Sequence, residues 1–332
     1  MRSTDRRRFL TLASGTLAAP ALLRRAFADA PAGTGTWPKD KVIRAIVPFG
    51  AGSTVDIIGR VVLDPVSQQI GQTLVVENRG GAGGSIGSAL VAKADPDGYT
   101  LLINASAHSA APAVYPDLSY DPSKDFSGIA IFGVVPNVLL IAPSKGIKTV
   151  KELVERAKAG NMTFASAGVG SATHWAAERF LVAAGIKATH VPFTGGPQAL
   201  TEVMTGRVDF TFIGTASGMP FIKDGRLLAL AVSSAKRSPA LPDVPTTLEL
   251  GYPNSEYTFW NGMLAPAKTP RPIVDRLHDE VQKALALPQV QAKLATQGAE
   301  PMPLTPKEFD AMIAKEIVEN KALAKAAGLK FN

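Results

Sequence analysis

Val42-Ile43-Arg44-Ala45-Ile46-Val47-Pro48-Phe49-Gly50-Ala51-Gly52-Ser53-Thr54 is the stretch from which the fold is read. Its first six residues are apolar around one arginine and form a short strand candidate. Small residues then end the strand before a helix expected from Val55 to about Ile70. The unit recurs: Thr73 to Glu77 reads as a strand, Gly80, Gly81, Gly83 and Gly84 as a turn, and Ile86 through Leu90 to Lys93 as a helix. Tyr99 to Ile103 is a third strand, ending in the polar loop Asn104-Ala105-Ser106. Strands alternating with helices at these lengths predict an α/β sheet with parallel members.

A second series follows Pro136. Val138 to Ala142 reads as a strand, and Thr149 with Glu152 three residues later has the pattern of a capping box before Leu153 and Val154. Met162 to Ala165, Ala188 to Val191, Val208 to Ile213 and Leu227 to Val232 continue the strands, with helices over Ala172 to Ala183 and up to Met204. Ile273, Leu277, Val281 and Leu285 recur on one helical face, as do Phe309, Met312, Ile313 and Ile317, so both segments read as helices covering a sheet. The simplest division is two α/β lobes: 39–137 plus 260–332, and 138–259. Chain crossings are expected near 138–142 and at Phe259-Trp260-Asn261-Gly262-Met263.

The chain has 332 residues, and 35 Lys plus Arg against 28 Asp plus Glu give a net charge of +7. Arg2, Arg6, Arg7, Arg8, Arg24 and Arg25 against Asp5 place five of those charges in the first 28 residues. No basic stripe remains beyond them, and no nucleic-acid partner is expected. The absence of cysteine excludes disulfides, thiolate nucleophiles and zinc–thiolate or iron–sulfur sites. The four histidines, His108, His174, His190 and His278, have no metal-motif spacing, so neither a metal nor another cofactor is expected.

Residues 1–28 read as an export signal. The uncharged run Phe9 to Leu23 spans about 22 Å as a helix, short of a bilayer's hydrocarbon core of about 30 Å. Arg6-Arg7 before Phe9-Leu10 resembles a twin-arginine signal, and Ala26-Phe27-Ala28 is an A-x-A cleavage site. Residues 29–40 then read as a disordered leader. A periplasmic location follows.

The candidate chemistry lies in small, polar, glycine-rich strand-to-helix loops: Gly50 to Thr54, Gly80 to Ser85, Asn104 to Ser109, Ser166 to Thr173 and Thr194 to Pro197. A helix start leaves amide N–H groups unpaired, so a carboxylate placed there gains hydrogen bonds and a favourable dipole. Glycine admits close approach, and Ser or Thr adds a hydroxyl. Each loop has a plain structural reading as a capped turn. His174 either lines a cleft or closes a cap; Asp56 caps amides or orients its loop; Phe49 and Phe193 are cleft walls or core. His108 is a further candidate, whereas His190 and His278 read as structural. No phosphate loop, paired dinucleotide fingerprint or nucleophile elbow is present. An exported hydrolase assembled from Ser166, Ser171, His174 and Asp209 is the alternative.

These residues resemble the Bug (Bordetella uptake gene) family, the TctC-like solute-binding receptors of tripartite tricarboxylate transporters. The resemblance spans nearly all of the chain beyond the signal. It rests on Ile46-Val47-Pro48-Phe49 through Asp56, Val75-Val76-Glu77-Asn78-Arg79 with Gly81-Ala82-Gly83-Gly84, and Pro96-Asp97-Gly98-Tyr99. Tyr120-Asp121-Pro122, Pro136-Asn137-Val138-Leu139, Ser166 to Ser171 with His174, Leu241-Pro242-Asp243-Val244-Pro245-Thr246 and Leu264-Ala265-Pro266 add to it.

The resemblance implies a two-lobed periplasmic binding protein of the Venus-flytrap type, each lobe a mixed, mostly parallel sheet flanked by helices. It implies a monomer that closes on a small organic acid and delivers it to the membrane subunits of a transporter. The implied ligand loops are Phe49, Gly50, Ala51, Gly52, Ser53 and Thr54 with Asp56; Ser166, Gly170, Ser171, Thr173 and His174; and Phe193, Thr194 and Gly195. Ser106, His108 and Thr215 complete the candidate set. The chain departs from the family at Gly52-Ser53 (usually Gly-Gly), Phe193-Thr194-Gly195 (usually Tyr-Lys-Gly) and Gly214-Thr215 (often an Asp-Asn-like pair), which suggests a less polar pocket.

Overall fold

A computed structural model describes residues 37–38 and 41–326. The expected signal and its cleavage site lie outside them. Of the expected leader, Trp37 is described and is buried, its ring 6.3 Å from that of Tyr99 and its carbonyl accepting from Arg276.

Strand β1 (Ile43–Val47) leads into α1 (Thr54–Ile70). Ser53 caps α1, and Gly71, at φ 67°, ends it in the left-handed conformation that glycine adopts without a Cβ clash. β2 (Leu74–Asn78), α2 (Ser85–Ala92), β3 (Thr100–Ala105) and α3 (Ala107–Val114) follow. β4 (Phe126–Ile141) is far longer than the strand expected after Pro136. Then come α4 (Val150–Lys158), β5 (Thr163–Ser166), α5 (Ala172–Ala184), β6 (Thr189–Pro192), α6 (Gly196–Met204), β7 (Phe210–Gly214), α7 (Thr215–Lys223) and β8 (Leu228–Val232). The chain returns through β9 (Thr258–Pro266) and ends in α8 (Arg271–Leu285), α9 (Pro288–Thr296) and α10 (Pro306–Ala326). At α4 the Thr149 hydroxyl accepts from Glu152 N, and Glu152 accepts from Lys148 N.

Two mixed sheets share β4. In the first, β2-β1-β3 run parallel, while β9 is antiparallel to both β3 and β4. In the second, β6-β5-β7 run parallel, while β7 and β8 are antiparallel to β4. Antiparallel pairings are as many as parallel ones, because β9 runs against its neighbours in the first sheet and β4 against its neighbours in the second. β4 changes partners at Pro136 and Asn137: Pro136 faces Thr258 in one sheet, and Asn137 faces Gly214 in the other. Pro136 has no N–H to give a ladder, which suits the point of exchange.

Helices cover both faces of each sheet. In the first lobe α1, α8 and α9 bury Ile58, Val62, Ile273, Leu277 and Val281 on one side, and α10 buries Phe309 and Ile313 on the other. In the second, α4 and α5 bury Leu153 and Phe180 on one face, while α6 buries Leu200 and Val203 on the other.

His108 shows what this burial does to a titratable group. It is buried in the first lobe with Nε2 3.0 Å from Pro122 O and its ring edge-on to Phe126. Burial lowers its pKa to about 4, against an ordinary 6.5. Between those values the unfolded chain binds a proton that the folded chain refuses, so stability is intact above pH 6.5 and falls as pH drops towards 4. The full loss is on the order of 3 kcal/mol at about 1.4 kcal/mol per pKa unit. His190, lowered to about 3 by burial and by His174, adds loss of the same sign. Urea unfolding at pH 7 and pH 5 is expected to show this decline, and His108→Leu to flatten it; an equal slope in the variant would remove His108 as the cause.

Candidate functional site

The starts of α1, α5, α6 and α7 converge on one narrow cavity between the lobes. Phe49, Ser53, Thr54 and Val55 line it from the first loop, Ala105 and Ala107 from the end of β3 and the start of α3, and Ala167, Ser171, Ala172 and Thr173 from the start of α5. Gly196, Ile213, Gly214, Ser217 and Phe259 close it. The cavity volume is about 40 Å³, and residues of both lobes line it.

The lobes meet closely along the seam beside it. Thr54 Oγ1 lies 3.0 Å from Ser217 Oγ, which donates to Gly52 O. The Tyr115 hydroxyl donates to Val169 O at 2.8 Å. A Cβ on Gly195 would stand 3.2 Å from Gly50 N, and one on Gly80 3.1 Å from Thr194 O.

Each polar loop is held from behind. Asp56, one turn into α1, accepts from Gly52 N at 2.9 Å, Arg60 Nε at 2.9 Å and Asn78 Nδ2 at 3.1 Å. In the second loop Thr173 Oγ1 accepts from Ala167 N at 2.8 Å and lies 2.9 Å from Ser171 Oγ. The first-turn amides of Thr54, Val55, Ala172 and Thr173 have no acceptor inside their helices, so both helix starts present positive dipole ends to the cavity. None of the cavity-lining residues is charged.

The sequence candidates divide by position. Phe49, Ser53, Thr54, Ser171 and Thr173 line the cavity. Gly50, Gly52, Thr194 and Gly195 lie along the seam, while Ala51 is exposed to solvent. Asp56 and His174 are buried behind their loops. His174 Nδ1 accepts from Gly170 N at 3.1 Å, leaving Nε2 as the protonated nitrogen, 3.5 Å from Glu178. Its ring stacks on His190 at 3.9 Å. Ser106 accepts from Trp260 N, Thr215 donates to Gln297 O, and Phe193 packs half-buried on the core of the second lobe, so none of the three lines the cavity. His108 is engaged with Pro122, away from it.

The hydrolase constellation is not assembled. Ser166 Oγ pairs with His190 Nε2 at 2.6 Å, and Asp209 is held by Lys145 and Thr163.

Ten lining residues lie outside the candidate set, and Ser217 and Phe259 are the two among them with a polar or an aromatic side chain. Ser217 follows Gly214-Thr215-Ala216, the same small, polar strand-to-helix pattern that marked the other loops, so its signal was present. Phe259 is apolar in a crossing strand, and only a register that puts it beside the cavity distinguishes it.

The comparisons with known proteins agree with this geometry. The model of the tripartite tricarboxylate transporter family receptor, TctC, matches residues 58–329. BugT of Bordetella pertussis is 33% identical over 306 residues, which is 91% of this chain and 94% of BugT. A structure of an R. palustris protein with adipate superposes with a TM-score of 0.84 at 32% identity, covering 88% of this chain and 98% of that one. MatC from Rhodopseudomonas palustris with bound malate gives 0.82 at 31%, covering 86% and 99%. The chain therefore belongs to the tripartite tricarboxylate transporter receptor family, the periplasmic solute-binding receptors of the TctC and Bug type.

Proposed function

We propose that this receptor closes its lobes on a small organic carboxylate and hands it to the membrane subunits of a tripartite transporter. The observation that carries the ligand class is the cavity. The starts of α1, α5, α6 and α7 and the hydroxyls of Ser53, Thr54, Ser171, Thr173 and Ser217 surround it, with no charged residue in its lining. Amide and hydroxyl donors stabilise one carboxylate per helix start. Three charges in one closed cleft carry a desolvation cost that such donors do not offset. The likeness to the proteins solved with adipate and with malate supports the same class.

Phe49 and Phe259 give the ligand's carbon skeleton two flat apolar walls. The expected preference is for acids with an apolar or aromatic body over citrate, at roughly 25 cal/mol per Å² of apolar area buried. Calorimetric titration with adipate, terephthalate, succinate and citrate tests this. Phe259→Leu is expected to weaken the two larger diacids by about 1 kcal/mol, the scale of one aromatic packing contact, and succinate by less. Tightest binding by citrate, with the variant indifferent across the set, would overturn the ligand class.

A further inference from the structure

Two asparagines at the strands joining the lobes are fully buried, and neither the oxygen nor the nitrogen of either side chain has a hydrogen-bond partner. They are Asn137 on β4 and Asn261 on β9. Among the described residues, no other side chain has both of its polar atoms buried and unpaired. The backbone of Asn137 is fully engaged: its N–H donates to Ser233 Oγ, and its carbonyl accepts from Ser233 N. The carboxamide alone is left over. Native folds rarely keep a buried amide without partners, and an unpaired one bears its full desolvation cost.

Strand register explains what these groups face. Asn137 stands directly opposite Gly214, and paired residues on antiparallel strands project to the same side. A Cβ on Gly214 would collide with Thr54 Oγ1, and Phe259 Cζ would lie 2.8 Å away. That side is the cavity side. Asn261 stands opposite the cavity-lining Ala105 and two residues from the cavity-lining Phe259, so it shares their face. Asn261 also pairs with Gly133, four residues before Asn137, which separates the two positions by roughly 13 Å along the strands.

We infer that Asn137 and Asn261 are specificity-determining residues of the ligand site. They read a group that both donates and accepts hydrogen bonds, a hydroxyl above all, on an organic acid whose carboxylate sits at the helix starts. This rests on the carboxylate reading above and adds a second polar requirement to it. A carboxylate satisfies the Nδ2 donors but only repels Oδ1; a hydroxyl answers both atoms of one carboxamide. A site with such carboxamides rejects an analogue lacking the hydroxyl, because the amide is then left unpaired.

The test uses two ligand pairs that differ by one hydroxyl: malate with succinate, and 6-hydroxyhexanoate with hexanoate. Calorimetry on the wild-type protein is expected to give at least tenfold tighter binding of the hydroxylated member in one pair. The Asn137→Leu, Asn261→Leu double variant is expected to erase that ratio. Without ligand, it or the corresponding double alanine variant is expected to melt no lower than wild type, because only unpaired groups have been removed. A retained ratio overturns the inference, as does a wild-type ratio near one in both pairs, or a fall in melting temperature in both double variants, which would show structural bonds to the carboxamides. If the wild-type protein binds none of the four acids, this inference falls; if it also binds none of adipate, terephthalate and citrate, the carboxylate reading falls with it.

Discussion

Gly83→Ala is expected to weaken ligand binding by a hundredfold or more while leaving the unliganded protein folded. Gly83 lies in a short 3-10 turn (Ala82–Gly84) at φ 59° and ψ 20°, a left-handed conformation that costs a non-glycine residue about 1–2 kcal/mol. That strain accompanies the open and the closed forms alike. The added Cβ acts on the closed form alone, where it would collide with Val169 O on the opposite lobe and stand 3.2 Å from the Tyr115 hydroxyl. Val169 cannot yield easily, because Ser166 Oγ donates to Gly168 O, Gly168 N donates back to that hydroxyl, and Ser171 N also donates to Gly168 O. A closed state raised by about 3 kcal/mol lowers the apparent affinity about a hundredfold when the ligand binds that state. Small-angle scattering with a saturating carboxylate is expected to show the wild type contracting and Gly83→Ala remaining extended. Tyr115→Phe, which removes one hydrogen bond across the same seam, is expected to cost about 1 kcal/mol. Equal affinity in wild type and Gly83→Ala would mean that binding does not need closure.

The elements most legible in the sequence are those with a simple period and an explicit stop. Helix α1 begins after Ser53 and ends at Gly71, so its sequence carries both boundaries, and the apolar positions of α8 and α10 repeat on one face, so theirs carry the buried side. The elements that escaped it carry contrary local signals that tertiary packing overrides. Helix α3 contains Pro112, and α7 contains Gly218 and Pro220 within nine residues. The part of β4 that pairs with β9 holds Gly128, Gly133 and Pro136, residues that argue against a central strand until β9 pairs along it.

For the site, the same limit applies one level higher. Strand-to-helix loops with glycine and hydroxyls are visible as a pattern, and Ser53, Thr54, Ser171 and Thr173 all line the cavity. Which aromatic faces the cavity is not visible: Phe49 and Phe193 both end strands, yet the first lines it and the second packs, half-buried, against the core of its own lobe. Phe259 takes the second wall instead, because the antiparallel register of β4 and β9 carries it there.

Asp56→Ala is expected to destabilise the protein by about 3 kcal/mol and to cost at least tenfold in carboxylate affinity. The carboxylate is almost fully buried, and it fastens both ends of the first loop. Its Oδ2 accepts from Gly52 N; its Oδ1 accepts from Asn78 Nδ2, which also donates to the carbonyl of Phe49. Removing it leaves the Gly52 amide unanswered and takes from Asn78 one of the bonds that fix its carboxamide. A lost cap costs about 0.5–2 kcal/mol, and a hydrogen bond to a charged acceptor about 1.5–3 kcal/mol. Arg60 contributes less than its 2.9 Å contact suggests, because its side chain is about half exposed and water takes over its charge. Arg60→Ala is accordingly expected to cost about 0.5–1 kcal/mol, within the range of exposed pairs. The affinity loss has a separate origin: without Asp56 the amides of Thr54 and Val55 lose their fixed direction, and a donor that must be ordered on binding gives back part of its hydrogen-bond energy as entropy. The buried negative charge also explains why Arg60 is placed one turn further along the helix. There it offsets the carboxylate behind the loop, so that an incoming anion meets the helix start and not an uncompensated like charge. Urea unfolding and calorimetry on the two variants separate these contributions. A stability change below 1 kcal/mol in Asp56→Ala, or one equal to that of Arg60→Ala, would show that the loop is held by something other than this carboxylate.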